Sequence, residues 1–530
     1  MAEDVKPADK NSAFKQEGFS PTLELVKEEI RELYFSDQIP WVIGYSGGKD
    51  STAVLQLVWG ALSVLSKEQL SKPVHVISTD TLVENPLVAA WVSRSLSQMQ
   101  QAADKHQLPI IPHRLTPEIQ NTFWVNLIGR GYPAPRNKFR WCTERLKINP
   151  SNRFIREVVR DNGEAILLLG TRRAESSVRA KSMARHAERA IRDRLVPNAS
   201  LPNSLVYTPI ESWTNDDVWT YLMREENPWE FTNKDLLTMY QGATEGGECP
   251  LVIDTSTPSC GDSRFGCWVC TLVDQDRSMA AMIQNDDEKD WMLPLLKLRN
   301  ELDFRGDEAR TKERERRDFR RMTGKLTYYT NSVGESQLVH GPYKQDTRAH
   351  WLRKVLQTQQ WIRENGPSHV RDIELISFEE LEEIRRIWVV DKHEIEDYVP
   401  AVYQEAVGAP YPGRAMDDNL VFDNETLALL KECCEGNELR FEMLRNLLDT
   451  ERRFRTMSSR RGLFKALEEV ISRTFYDGEE DALKRGRDLH ELKHGETQSD
   501  EDIQEAGKED EQNSPPQREL ALPLPPTGSD

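Results

Sequence analysis

The chain has 530 residues, a formal net charge of −18, 38% hydrophobic residues and a mean hydropathy of −0.65. That length accommodates two or three domains of the ordinary ~100–200 residues, and no stretch approaches the roughly 18–20 unbroken apolar residues of a membrane helix, so no membrane partner is expected. The polar start MAEDVKPADKNSAFKQEG lacks the apolar core of a signal peptide and the seven cysteines are an odd number, which together imply a cytoplasmic, reduced protein without a disulfide framework.

Residues 1–20 read as a flexible arm, followed by an amphipathic helix over SPTLELVKEEIRELYF. Strand-like runs follow at WVIGY, PVHVIST and AILLLG (165–170), each hydrophobic without alternation, as strands covered on both faces are. Helical patterns near 86–105 and 151–161 separate them. Residues 21–248 are therefore predicted to be a doubly wound α/β domain with a mostly parallel sheet, in which ligands sit beyond the carboxyl ends of the strands. Asp50, Asp80 and Gly170 all fall just past such ends.

The first of these ends carries Ser46-Gly47-Gly48-Lys49-Asp50-Ser51-Thr52 between a strand and a helix start. Unpaired backbone N–H groups and the helix dipole favour an anion there, and the two glycines allow close approach of a phosphate. Ser46, Ser51 and Thr52 add hydroxyls, Lys49 adds a point charge, and Asp50 is placed to help hold Mg²⁺. The pattern G-x-x-x-x-G-K-[ST] is not satisfied, because Asp50 occupies the Ser/Thr place.

After the second strand, Asp80 can accept from ribose or adenine donors or approach Mg²⁺, while Glu84-Asn85-Pro86 equally suits a simple helix cap. KFRWCTERLKINP places Lys138, Arg140, Arg145 and Lys147 around Cys142, an arrangement expected to contact phosphate and to depress the thiol pKa. GTRRAESSVRA follows the third strand with Gly170, Arg172, Arg173 and Arg179, whose guanidinium forks match phosphate oxygens. PIESWTNDDVWTYL reads as a structural helix start.

Cys249, Cys260, Cys267 and Cys270 crowd into 22 residues, with a tight C-x-x-C at the end. Four thiolates suit either Zn²⁺ or an iron–sulfur cluster, and spacing alone does not choose between them. Cys142 is an alternative fourth ligand or a persulfide carrier, whereas adjacent Cys433 and Cys434 suit helix packing. Residues 249–275 form this cysteine segment, 276–475 a helical accessory domain and 476–530 a disordered acidic tail with 16 acidic and 6 basic residues from Asp477 onward. Within the helical part, RTKERERRDFRRMTGKLTYY (310–329) has a composition suited to nucleic acid, or equally to an exposed salt-bridged helix.

In order, SGGKDS, DT-x-x-x-x-P, R-x-C-x-x-x-L-K-x-x-P, G-T-R-R-x-E-S-x-x-R and P-I-x-x-W-T-x-x-D-V-W-x-Y-L resemble the phosphoadenylylsulfate-reductase-like branch of the PP-loop ATP pyrophosphatases, over roughly residues 40–275. That resemblance implies cleavage of ATP between its α and β phosphates, with Lys49, Asp50, Ser51 and Cys142 catalytic and a [4Fe–4S] cluster on the clustered cysteines. The arrangement of this loop, the clustered cysteines and a large charged helical C-terminal region is similar to the DndC family of bacterial DNA phosphorothioation. It implies DNA as acceptor, a cysteine desulfurase as sulfur donor and the other phosphorothioation subunits as partners. The alternatives are a phosphoadenylylsulfate reductase, which lacks support from any cysteine after Cys434, a tRNA thiolase, and a non-catalytic ATP-sensing scaffold.

Overall fold

The computed structural model describes residues 12–137, 139–175, 180, 181, 183, 192, 194–198, 200–243, 265–330, 336–414, 424–455 and 457–494. Of the tail expected to be disordered from residue 476, Glu479–His494 is instead a helix, and residues 495–530 lie outside the described ones.

Helix α1 (Phe19–Phe35) leads into β1 (Trp41–Gly44), α2 (Lys49–Leu62), β2 (Val74–Thr79), α3 (Pro86–His106), β3 (Ile110–Leu115), α4 (Asn149–Asn162), β4 (Ala165–Leu168), β5 (Val196–Pro197) and β6 (Ser204–Tyr207). The sheet order is β3-β2-β1-β4-β6-β5, parallel except for the β5 edge. Register is set by Trp41 opposite both Val74 and Ile166, Val74 opposite Ile110, and Ala165 opposite Ser204. This is the doubly wound, mostly parallel sheet that the apolar runs predicted. Trp41 and Ile43 join the core under α1, α2 and α3, while Val42 joins Ile155, Val158 and Leu167 on the other face. Strands β3 and β6 escape a reading by apolar runs because IIPHRL is broken by proline and cations, and SLVY is only four residues long.

Strand β1 has β2 on one side and β4 on the other, so the chain turns away in opposite directions after β1 and β4 and leaves a crevice at their carboxyl ends. Between β3 and α4 the chain runs through two π-helical turns, Val125–Arg130 and Thr143–Ile148. The first is held by helices far along the sequence: Trp388 Nε1 donates to the Ile128 carbonyl (3.0 Å) and Trp124 Nε1 to the Leu375 carbonyl (2.7 Å).

The chain divides into two compact units, one of residues 1–310 and 345–415, the other of 311–344 and 416–530. The helices Arg277–Asn285, Leu293–Leu302, Gln345–Asn365 and Phe378–Arg386 thus belong to the same unit as the sheet, so the boundary expected at residue 276 is not where the units part. Long-range packing such as Trp388 on the 125–130 turn decides this, and it leaves no local mark in the sequence. Of the 310–329 stretch, residues 310–315 end an exposed helix in which only Glu313 is buried, as one of its two readings expected, and the part that follows turns inward. Phe319 is core with Leu439 and Ala482, buried Glu313 accepts from the Tyr343 hydroxyl (3.0 Å), Arg317 donates to the Gly341 carbonyl (2.7 Å), and buried Arg320 binds Asp318 and Glu442. Among the described residues no helix is long and apolar enough to cross a membrane.

Candidate active site

The loop after β1 lines a cavity of about 930 Å³ at the carboxyl edge of the sheet. Gly47 has φ +74°, and a Cβ there would stand 2.6 Å from Val92 Cγ2, so both backbone and space demand glycine. Gly48 precedes the first residue of α2, and a Cβ on it would lie 3.2 Å from the Tyr240 hydroxyl. The two serines stiffen the turn: Ser51 Oγ accepts from the Ser46 N–H (3.2 Å) and donates to the Gly48 carbonyl (3.0 Å), as Thr52 does (2.9 Å). These hydroxyls are spent on shaping the loop, and residues 46–50 line the cavity.

Asp50 is the junction of the floor. Its Oδ1 accepts from Arg172 Nε (2.7 Å) and its Oδ2 lies 3.2 Å from Lys49 Nζ. Arg172 is buried and is fixed by the Trp213 carbonyl (3.3 Å) as well. The ring of Tyr240, under the Lys49 ammonium at 5.6 Å, completes this wall, and burial raises its hydroxyl pKa.

The arginine loop after β4 behaves differently from the expectation that all its members meet phosphate. Gly170 is there for the backbone of α2: a Cβ on it would come within 2.9 Å of the Asp50 carbonyl carbon and oxygen. Arg173 turns outward to Glu211, and Arg179 lies outside the described residues. Arg172 alone of the three described members lines the cavity, and it does so as the partner of Asp50.

The opposite wall carries Asp80, Arg114, Glu84 and Lys147. Asp80 accepts from Arg114 Nε (3.0 Å) through Oδ2 and from the Leu82 N–H (2.8 Å) through Oδ1, so it shapes its own turn. Asn85 caps α3 by accepting from the Leu87 N–H (3.0 Å), leaving Glu84 to face Lys147 at 3.5 Å. Arg140 and Arg145 are not brought to the cavity. Arg140 donates to the Asn137 carbonyl (3.2 Å), and Arg145 donates to Asn121 (3.0 Å) and the Tyr132 hydroxyl (3.2 Å). The wide turn Thr143–Ile148 separates them from Lys147, which no α-helical spacing rule would anticipate. Lys138 lies outside the described residues.

The cysteine turn adjoins this wall. Residues 83–85 and 266–268 pair by Trp268 N–H to the Val83 carbonyl (3.0 Å) and Asn85 N–H to the Gly266 carbonyl (3.3 Å). Cys267 Sγ consequently lies 3.3 Å from Thr81 Oγ1 and 3.8 Å from Glu84 Oε1. The N–H of Cys270 closes a tight turn on the Cys267 carbonyl (3.0 Å). Burial, reinforced by the Glu84 charge, pushes the Cys267 thiol up to about 12. The Cys142 thiol is also raised, by burial first and by Cys270 among its neighbours, which corrects the expectation that surrounding cations hold it low. The reason is that Arg140 and Arg145 are engaged elsewhere. Lys147, despite burial, is held charged by Cys267 and Glu84.

Cys249 and Cys260 lie outside the described residues. Among the described residues no three His, Cys, Asp or Glu groups converge as a metal-ligand set. What is present has the donor chemistry of a sulfur-ligated group without forming its ligand set: two thiols on a tight turn, half-buried Cys142 near enough to Cys270 to feel its charge, and a lysine to offset the charge of thiolates. Exposed Cys433 and buried Cys434 sit in the second unit.

Sequence reasoning missed Arg114, Tyr240 and Arg299. Arg299, buried on the helix Leu293–Leu302, donates to the carbonyls of Cys270 (2.9 Å), Asp274 (3.1 Å) and Val273, while Arg305 reaches those of Thr271 (2.8 Å) and Val273 (2.7 Å). The only signal available was that a charge-bearing helix follows the cysteine segment.

Residues 40–272 match the phosphoadenosine phosphosulfate reductase domain family. An uncharacterized protein of Methanocaldococcus jannaschii is 28% identical over 200 residues, which are 38% of this chain and 35% of that protein, so the chain spans about a third of its relative's length. The U34-tRNA thiolase NcsA from Methanococcus maripaludis with its [4Fe-4S] cluster aligns over 57% of this chain and 86% of its own, at 12% identity and a TM-score of 0.25. By the matched segment, its strand order and its glycine loop, residues 40–272 have the PP-loop fold and are similar to the phosphoadenosine phosphosulfate reductase domain.

Proposed function

We propose that the chain is an ATP pyrophosphatase and sulfurtransferase that adenylates a DNA backbone phosphate and exchanges the activated oxygen for sulfur, as the DndC-like arrangement of its motifs implies. The observation that carries this reading is the continuity of one cavity wall with the cysteine turn. Glu84 and Lys147 line the cavity, and Glu84 stands within 3.8 Å of Cys267. A nucleotide on the glycine loop and a sulfur carrier at Cys267 would face the same space.

In this reading the backbone of Gly47, Gly48 and Lys49 receives the β and γ phosphates, and the Lys49 ammonium offsets charge as it grows on the leaving pyrophosphate. An acceptor phosphate oxygen attacks the α-phosphorus, and the bond to the bridging oxygen of pyrophosphate breaks. Arg172 fixes the Asp50 carboxylate, so that a Mg²⁺ ion on Oδ2 would replace the Lys49 contact and leave Lys49 to the phosphates. Sulfur at the hydrosulfide level then displaces AMP. Persulfide sulfur from a cysteine desulfurase reaches that level with two electrons from a reductant. Cys249, Cys260, Cys267 and Cys270 would hold a [4Fe–4S] cluster, with Cys142, which feels the charge of Cys270, as the alternative fourth ligand. When bound, the cluster supplies a site that holds sulfur.

The test is an anaerobic incubation with ATP, Mg²⁺, cysteine desulfurase, sulfur-labelled cysteine and a dithiol reductant, offering DNA and tRNA separately. Pyrophosphate and AMP with label in DNA are expected. ADP and phosphate as products overturn the pyrophosphatase reading, and label in tRNA alone makes the chain a tRNA thiolase. A reductase would instead consume phosphoadenylylsulfate. Full modification activity of Asp50→Ala would assign a scaffold role.

A further inference from the structure

Part of the expected nucleic-acid stretch at 310–329 is consumed by packing, and a second group of exposed cations in the second unit lies elsewhere. Helices Glu438–Arg455 and Leu463–Thr474 pack against each other, and the connection between them reads RTMSSRRGLFK from 455 to 465. Arg455, Arg460, Arg461, Phe464 and Lys465 are all exposed there. Arg460 lies 3.5 Å from Glu451; Arg455, Arg461 and Lys465 have no ion pair among the described residues. No acidic residue interrupts the eleven positions, although the chain as a whole carries −18. Phe464 is 86% exposed, the most of any large hydrophobic residue described, and Met457 is 53% exposed.

We propose that this turn is a nucleic-acid contact, with Arg455, Arg461 and Lys465 on backbone phosphates and Phe464 stacked on an unpaired base. The proposal rests on the reading that the acceptor is DNA and supplies a place on the chain that holds it. Exposing an aromatic ring to water is costly, and a base offers that ring a flat apolar partner while its phosphates satisfy the flanking cations, a pairing typical of sites that track single strands. The charge decides against an acidic-faced helix as the preferred surface for a second copy of this chain, because Glu468 and Glu469 on the following helix would meet their own equivalents.

The experiment uses the full chain and fluorescein-labelled DNA, single-stranded and duplex, with anisotropy read across a salt series. The Arg455→Ala/Arg461→Ala/Lys465→Ala variant is expected to bind both forms about tenfold or more weaker at low salt and to lose about 0.9 in salt slope per phosphate contact removed on duplex, less on single strands. Phe464→Ala is expected to lose about tenfold on single strands and little on duplex. Both variants should keep the ATP affinity of the parent. Unchanged DNA affinity and salt slope overturn the proposal, and if Phe464→Ala instead changes only the sedimentation of the protein, the face belongs to protein association. Failure of the parent to release pyrophosphate would sink the functional reading while leaving these binding curves interpretable on their own.

Discussion

At the scale of single residues, the site depends on a carboxylate and a guanidinium 122 positions apart. Asp50→Asn keeps the shape of the side chain but removes the charge that holds buried Arg172 and steadies Lys49. Pyrophosphate release is expected to fall about 10²–10³-fold, and the melting temperature to drop because a buried cation is left without its counter-charge. A steady-state pyrophosphate assay paired with thermal unfolding checks both. Gly170→Ala acts on the same point through space. Its methyl group would stand 2.9 Å from the Asp50 backbone, and since neither partner is a flexible side-chain tip, the start of α2 must move. We expect destabilisation of about 1–3 kcal/mol and loss of ATP binding by calorimetry. An unchanged affinity for ATP would show that the loop geometry is not what binds the nucleotide. The glycine loop itself was legible because its chemistry is local: strand, glycines, helix start. The pairing of Asp50 with Arg172 was not, since Asp50 reads as a Mg²⁺ ligand and Arg172 as a phosphate ligand until their separation in space is known. The same ambiguity misassigned Arg140, Arg145 and Arg173, which are cations near the motifs whose partners, Asn137, Tyr132 and Glu211, carry no signature in the sequence.

At the scale of elements, the cysteine turn is a guest of two neighbours. The loop after β2 pairs with residues 266–268, and Arg299 and Arg305 draw in the carbonyls from Cys270 to Asp274. Arg299 is 1% exposed, and so large a charged group persists in the interior only because carbonyls and Asp303, 3.2 Å away, satisfy it. Arg299→Met would leave those carbonyls unpaired at roughly 1–3 kcal/mol each. The expected outcome is a severalfold lower iron content per chain after anaerobic purification, with ATP binding retained because the glycine loop lies on other elements. Arg299→Lys, which preserves the charge but not the fork, should fall between. Equal iron content in all three proteins would show that the turn holds itself. Elements with strong local periodicity, α1, α3 and the three apolar strands, were visible from sequence. The π-helical turns were not; the first, Val125–Arg130, packs against Trp388 and the helix Phe378–Arg386 from more than two hundred residues away, a contact that leaves no local mark.

At the scale of the whole molecule, the proposed DNA acceptor sets a chain of net charge −18 against a polyanion, so where the chain's negative charge sits governs the encounter. Much of that charge sits in residues 495–530, which contain ten acidic and two basic residues, so deleting them changes the net charge from −18 to −10. The long-range field decides how often a polyanion approaches, whereas the contacts at Arg455, Arg461 and Lys465 decide how long it stays. Removing the tail should therefore speed association with DNA severalfold at low ionic strength, where the Debye length is about 30 Å, and barely at all in 1 M salt, where it is about 3 Å. Dissociation should change little at either extreme, because deletion removes no contact to the phosphates. Stopped-flow mixing of the full and shortened chains with labelled DNA separates the two rates. A change in dissociation that persists at high salt would mean that the tail competes for the cationic turn by direct contact, and the charge argument would give way to one of occupancy.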